Sequence, residues 1–401
     1  MTRRWVALGA FSLLVASTQL LWLSFAPVTT QVHAALGVSE GAVGDLAGLA
    51  PLLYVVLAIP CGRWTDRRFG AALATGAVLT AAGATLRAAV PTSFAWVLTG
   101  QVIVSVGQPL VLNATTKVAA RHFPPRERTT AIAVGSAAQF VGILVAASTG
   151  GSLLDAGGLA GLLRVHAAVA VVAAAGVLLA LRMPAAFAGT APSGEPSGTQ
   201  GLGSLRRDPV LWALAGLLFI GVGVFNALAT WLDAILGAFG LPGASGTLIT
   251  TTTVAGIVGA AVLPGVAARH DRRRTLLLVT VVTILVTFPL VAAVHQVVAI
   301  GILLAALGFV LLAGLPVALD WSELHVGPER AGTATGLLLL AGNLGGAVLV
   351  LAVQAVLADP YLALGALAAA GLPGLALLAL LPARVGRPEE RTSPAAGMLE
   401  A

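Results

Sequence analysis

Apolar runs of about 20 residues, each interrupted by glycine, proline or a short arginine cluster, recur twelve times along this chain. That repetition decides which solvent it can fold in. About 20 predominantly apolar residues is the length an α-helix needs to cross the hydrocarbon core of a bilayer. Reading with this template gives segments near Trp5–Pro27, Gly41–Cys61, Ala71–Val90, Phe94–Ala119, Arg128–Gly151 and Gly161–Leu181. After a gap come Pro209–Leu236, Ala244–Ala268, Thr275–Val294, Val297–Leu319, Ala331–Leu357 and Tyr361–Leu381. Asp, Glu, Lys and Arg make up 9% of the 401 residues and hydrophobic residues 58%, whereas a soluble domain carries about 25% charge. A chain so poor in charge cannot clothe itself for water. The implied fold class is an all-α polytopic membrane protein of 12 transmembrane helices.

The basic residues test that count. With Arg3 and Arg4 placed inside, alternation of the twelve segments puts all but Arg87 and Arg164 of the 22 Lys and Arg residues on the inner side. A wrong number of helices would scramble this pattern. We therefore expect a multi-pass protein of the inner (plasma) membrane with both termini cytoplasmic. The first apolar run is too long for a signal-peptide core and is expected to stay as a helix. The net charge of +6 is topology information rather than a phosphate-binding face, so no nucleic-acid partner is expected. A single cysteine, Cys61, leaves no disulfide framework and no cysteine metal site. The six histidines are scattered, and no nucleophile–base pair or phosphate loop is present. An enzyme, a cofactor and a metal are all unsupported.

Residues 185–208 are rich in Gly, Ser, Pro and Thr and read as a cytoplasmic linker. They divide an N-terminal six-helix bundle, 1–184, from a C-terminal one, 209–382, with a polar cytoplasmic tail at 383–401. The halves repeat: Asp66-Arg67-Arg68 follows the second segment and Asp271-Arg272-Arg273-Arg274 the eighth. Pro125-Arg126-Glu127-Arg128 opens the fifth and Pro328-Glu329-Arg330 the eleventh. Two parallel six-helix repeats around a long central loop resemble the major facilitator architecture, which implies two pseudo-symmetric bundles, a substrate site between them at mid-bilayer, and alternating access.

The stretch Gly62-Arg63-Trp64-Thr65-Asp66-Arg67-Arg68-Phe69-Gly70 resembles the facilitator loop between helices two and three. Gly62 permits close helix approach. Asp66 is placed to cap a neighbouring helix and pair with an arginine, Arg67 assisting, as a latch on the cytoplasmic side. Glu127, Arg128 and Asp271 belong to the same set, as do Asp320 and Glu323 in a cluster with Arg330. The bland alternative is a set of topology-setting charges.

Polar side chains deep in a membrane are costly and tend to be functional. Counting roughly 1.5 Å per residue from the helix ends puts Gln19, Trp22, Tyr54, Gln108, Gln139, Asn226 and Asn343 near mid-depth. They line a substrate cavity or glue helices together. No Asp, Glu, Lys or Arg reaches that level; Asp45, Arg87, Asp155, Arg164 and Asp233 come out towards the outer side. An aromatic-and-amide site suits a neutral molecule or a weakly hydrated cation held by ring faces.

Within the superfamily the chain resembles the feline leukaemia virus subgroup C receptor-related transporters. Trp22 lies fifteen residues before Gly37-Val38-Ser39, followed by Asp45, Tyr54, Pro60 and Asp66. Further matches are Gly100-Gln101 with Ser105, Gln108, Lys117, Phe123-Pro124-Pro125-Arg126-Glu127 and Thr130-Ala131; Gly223-Val224-Phe225 with Thr230; and Pro316 with Gly336 and Asn343. The resemblance implies uptake of choline and ethanolamine, and a link to haem. It implies that Trp22 packs on a quaternary ammonium and that Asn343 stands where the family has a contacting glutamine. Asn226 stands where the family has a tyrosine, so one aromatic wall is missing. At helix five the matching place is Phe140, with Gln139 one residue off. The expected function is a secondary transporter of a small organic solute, with an organic cation such as choline or a related amine as a candidate, acting as a monomer whose partners are substrate and lipid bilayer. The alternatives are a proton-coupled exporter of hydrophobic compounds, which needs Asp45 or Asp233 deeper than counted, and a membrane receptor or scaffold.

Overall fold

The computed structural model describes residues 2–25, 28–184, 208–241 and 244–383. The linker, apart from its last residue, and the tail after residue 383 lie outside the described residues. Every element found among the described residues is helical. In chain order they are α1 Thr2–Trp22, α2 Thr29–Leu36, α3 Glu40–Arg67, α4 Phe69–Ala89, α5 Phe94–Leu112, α6 Thr115–His122 and α7 Pro125–Ala180. The second half holds α8 Pro209–Ala238, α9 Ser245–Arg269, α10 Arg273–Ala293, α11 Val297–Leu311, α12 Gly314–Val326, α13 Ala331–Gln354, α14 Pro360–Ala369 and α15 Leu372–Ala379. Helix is what hydrocarbon demands, because each backbone N–H and C=O must find its partner inside its own segment.

Helix starts carry local signals. Asp208 accepts hydrogen bonds from the backbone N–H groups of Val210 and Leu211 with Pro209 in the first turn, and Asp359 does the same for Tyr361 and Leu362 behind Pro360. A capping carboxylate followed by a proline already set at helical φ is the strongest sequence-coded way to open a helix.

Eleven helical stretches are long and apolar enough to cross a membrane. One of them, α7, has 56 residues, about 84 Å of helix at 1.5 Å per residue, far more than one crossing of a core about 30 Å thick. It is broken at Gly158, with φ 61 and ψ −170, a conformation open to glycine and strained for other residues. The arms on either side supply the fifth and sixth crossings, which makes twelve. The loop expected between Gly151 and Gly161 is therefore a glycine hinge.

Three further departures from the segments expected above have physical causes. The first helix ends at Trp22, not at Pro27, and a short helix, α2, follows it. The fourth crossing is interrupted between α5 and α6, where Pro109 lies inside the last turn of α5. The tenth is interrupted between α11 and α12, with Pro316 in the first turn of α12. Proline lacks the N–H that would continue the ladder.

Within the first half α1 packs on α7, and α4 on α5 and α7; within the second, α8 packs on α13 and α9 on α11. The halves meet along two seams, α3 against α13 and α7 against α9. At the first seam the backbones nearly touch. A Cβ on Gly62 would lie 2.7 Å from the Gly332 carbonyl oxygen, and one on Gly336 would lie 2.7 Å from that of Ala58. Substituting Gly62→Leu should therefore prise α3 from α13. Spin labels at Arg68→Cys and Glu329→Cys, in a Cys61→Ala background, should report a longer distance than in the parent; an unchanged distance distribution would show that the seam tolerates a side chain.

Candidate functional site

Between the halves lies a cavity with about 1210 Å³ of empty space, open solvent at its mouth included. Gln19, Trp22, Tyr54, Gln108, Gln139, Phe140, Asn226 and Asn343 all line it. They come from α1, α3, α5 and α7 of the first half and from α8 and α13 of the second. Among the described residues the remaining lining is apolar, apart from Thr280, and none of it is an Asp, Glu, Lys, Arg or His.

The polar groups differ in what they offer. The Tyr54 hydroxyl donates to Asn113 Oδ1, and Asn113 Nδ2 in turn donates to the Ala58 carbonyl at 2.7 Å, so Tyr54 presents ring rather than hydroxyl. Asn343 Nδ2 donates 2.8 Å to the Leu339 carbonyl of its own helix, which leaves its amide oxygen as the acceptor. Gln139 Nε2 is buried with no hydrogen-bond partner among the described residues. A buried donor left unsatisfied costs about 1–3 kcal/mol, and that cost is relieved when an acceptor enters the cavity. Sequence reasoning missed Phe225, beside Asn226 on α8. Its ring faces Phe140 of the other half, centroids 6.5 Å apart and edge to face, and it lines the same cavity. An apolar aromatic carries no signal of being out of place in a membrane helix, so only the fold reveals it.

One end of the cavity is shut by polar contacts between the halves, all at the arginine-rich end of the helices. Asp66 sits over the N-terminus of α13, where its carboxylate accepts from the N–H groups of Gly332 and Thr333, each at 2.8 Å, and from the Thr333 hydroxyl. Lys117, 3.0 Å away, is its ion-pair partner. A helix N-terminus offers unpaired N–H groups and about half a positive charge, so a carboxylate there is doubly favoured. Across the second seam, Thr129 at the start of α7 donates 2.6 Å to Asp320 Oδ1, and Arg273 holds the other oxygen at 2.6 Å. Arg128 reaches Glu323 at 3.1 Å, and Thr116 meets Thr335 at 2.9 Å.

The gate differs in detail from the expected one. Asp66 pairs with lysine rather than arginine. Arg67 is exposed and lines a surface groove with Pro60, Arg63, Trp64 and Arg68. Glu127 pairs with Arg4 of its own half at 2.9 Å, bracing α1 on α7 rather than joining the halves. Asp271 has φ 48 and pairs within its loop with Arg273 at 3.4 Å. Arg330 is exposed, while Asp320 and Glu323 take Arg273 and Arg128. Asp45 is exposed and is not among the cavity residues.

Two six-helix halves around a central cavity, open at one level and latched at one end, define a secondary transporter that works by alternating access. The chain belongs to the Major Facilitator Superfamily, whose family model matches residues 5–350. It is 30% identical over 381 residues to solute carrier family 49 member A3 of Danio rerio, covering 89% of this chain and 79% of that protein. It is 25% identical over 376 residues to the choline/ethanolamine transporter FLVCR1 of Felis catus, covering 87% and 67%. Among solved structures, a bacterial homologue of the iron transporter ferroportin in an outward-facing state superposes with TM-score 0.76 at 16% identity over 94% of this chain and 99% of that one. The transporter FucP in its outward conformation gives 0.71 at 15% over 92% and 99%.

Removing one partner of a buried ion pair costs about 3–5 kcal/mol. Asp66→Asn should therefore loosen the latch, whereas Glu127→Gln, whose partner Arg4 belongs to its own half, should not. In a Cys61→Ala background, a thiol placed at Leu338, buried on the cavity floor, should react with an impermeant maleimide from the arginine-rich side at least about tenfold faster in Asp66→Asn, the equivalent of about 1.4 kcal/mol. Equal rates in the two variants would show that the latch lies elsewhere.

Proposed function

We propose that this transporter carries a small organic cation bearing a quaternary ammonium, with choline as the first substrate to test. One observation carries the reading: Trp22, Phe140 and Phe225 bring aromatic faces from both halves into a cavity rich in amides, with no charged side chain among the described residues that line it. Cation–π contacts are worth about 0.5–2 kcal/mol each, most when desolvated. Phe225 supplies the wall that Asn226, in the place of the family's tyrosine, does not. Asn343, Gln139, Gln108 and Gln19 orient the substrate's hydroxyl, and Tyr54 closes the floor as an aromatic surface. A quaternary ammonium sheds its water more readily than a primary one, which needs three hydrogen-bond acceptors. Choline should therefore be preferred over ethanolamine. Haem fits poorly, because its two propionates would enter without a cationic partner.

The halves are 1–184 and 209–382, joined through the linker at 185–208, with 383–401 as a tail. We place the arginine-rich end, with both termini, in the cytoplasm of a cell whose plasma membrane holds the monomeric protein. Gly62, Asp66, Lys117, Arg128, Asp320 and Glu323 then form a cytoplasmic gate, closed here. Moving one positive charge down a membrane potential yields about 2.3 kcal/mol per 100 mV, enough to drive uptake through a uniporter with no coupling ion. A proton-coupled exporter wants a titrating group in the cavity; Asp45 lies outside it, and the Asp233 side chain is outside what the structure describes.

In proteoliposomes, radiolabelled choline uptake should rise with an inside-negative potassium diffusion potential and should not respond to an imposed pH gradient. Trp22→Ala and Phe225→Ala should each raise KM roughly tenfold, the loss of about 1.4 kcal/mol of ring contact. Uptake that follows the pH gradient, or is indifferent to both substitutions, would remove the organic-cation reading and favour the exporter.

A further inference from the structure

Arg87 comes out at the outer end of its helix by counting residues, yet it is completely buried, with 0% of its surface exposed. No carboxylate reaches it among the described residues. An isolated buried guanidinium is among the costliest groups a membrane protein can hold, so whatever surrounds it has to replace its hydration. Apart from Gln101 of α5, its partners converge on one place, the C-terminal end of α1.

Helix α1 ends at Trp22. The last carbonyls of a helix have no intrahelical donor, and in hydrocarbon they cannot turn to water. The Leu21 carbonyl is capped by Arg87 Nη1 at 3.1 Å. The Ser24 hydroxyl lies 3.0 Å from the Leu20 carbonyl and 3.1 Å from that of Leu21. It also meets His166 Nδ1 at 2.9 Å and Arg87 Nη2 at 3.5 Å. The guanidinium lies 5.4 Å from the Phe25 ring centroid. The charge is thus balanced by the negative end of the α1 dipole and a ring face, not by an acid.

The guanidinium is itself braced. Arg87 Nη1 also donates to Gln101 Oε1, and Gln101 Nε2 donates 3.1 Å to the Leu46 carbonyl of α3. The room for this arrangement is built into α5: a Cβ on Gly100 would lie 2.6 Å from Arg87 Cγ. The network joins α1, α3, α4, α5 and the second arm of α7, and its focus is the residue before Trp22.

We propose that Arg87 is a positioning residue for the cavity: by capping the Leu21 carbonyl it fixes where α1 stops and so holds the Trp22 ring in the cavity wall. The inference rests on Trp22 being a wall of the substrate site, but its test needs no substrate. The protein contains seven tryptophans. Incorporation of 5-fluorotryptophan gives each a fluorine resonance, and the Trp22 signal is the one lost in Trp22→Phe. In Arg87→Met that signal should shift by more than its own linewidth, while Trp96 of the same half and Trp212 of the other keep theirs; Arg87→Lys, which retains a charge and a donor, should bring it part of the way back. A general loss of packing would move all the resonances together and would overturn the assignment, as would a Trp22 signal that stays in place. Should Arg87→Met not assemble, Gln101→Leu removes the brace while leaving the guanidinium, and an unmoved Trp22 signal there overturns the proposal equally. If Trp22→Ala leaves choline uptake intact, the substrate reading fails without touching this result.

Discussion

Hydrocarbon leaves no polar group unanswered, and that single constraint accounts for most of what this chain does with its few polar residues. Backbone groups are answered within helices, and where a helix stops inside the membrane a side chain has to step in. The Ser24 and Arg87 caps on α1 meet that demand. A set of amide side chains from both halves instead faces the cavity between them. The buried, unpartnered Nε2 of Gln139 is tolerable there and would be a liability against lipid.

The gate shows how a duplicated frame diverges. Thr129 and Thr333 stand 204 residues apart, each at the start of a helix of one half, and each gives its hydroxyl to a carboxylate of the other half. The carboxylates are not equivalent. In the first half the acid comes from the loop, as Asp66, and the base from the fourth crossing, as Lys117. In the second half the base comes from the loop side, as Arg273, and the acid from the tenth crossing, as Asp320. Lys117 and Asp320 are 203 residues apart, so matching positions carry opposite charges. The electrostatic design is kept in space while the residues that supply it are exchanged between the halves.

Helix number and the two-half architecture were legible because they depend on composition, run length and the side on which arginines fall, all one-dimensional quantities. The cavity residues were legible for a related reason: distance from a helix end gives height, and the uncommon polar residues at one height converge when the halves pack. What a height cannot give is direction. Counting placed Arg87 towards the outer side and Trp22 near mid-depth, yet the guanidinium reaches the Leu21 carbonyl, next to Trp22, from inside its own half, while Trp22 lines the cavity. Phe225 was illegible because an apolar ring in an apolar helix breaks no rule. The break at Gly158 and the end of α1 at Trp22 were likewise hidden, since each depends on neighbours distant in sequence.

The distribution of these contacts also constrains the transport cycle. The arginine-rich end is held by bonds to charged groups, worth about 1.5–3 kcal/mol each, whereas ring faces and amides in the cavity supply about 0.5–2 kcal/mol apiece. A ligand shifts a two-state equilibrium only by its difference in affinity between the states. Phe140 and Phe225 belong to opposite halves, so the organic cation proposed above would be gripped best when the halves close over it, and this difference is what such a substrate would contribute. It is comparable with one latch bond, not with all of them. Opening the latched end therefore requires that the opposite ends of the halves gain contacts with each other as they approach. Substrate tips a balance that the helices themselves keep nearly even, which is how a cavity without charge can govern a gate built from charges.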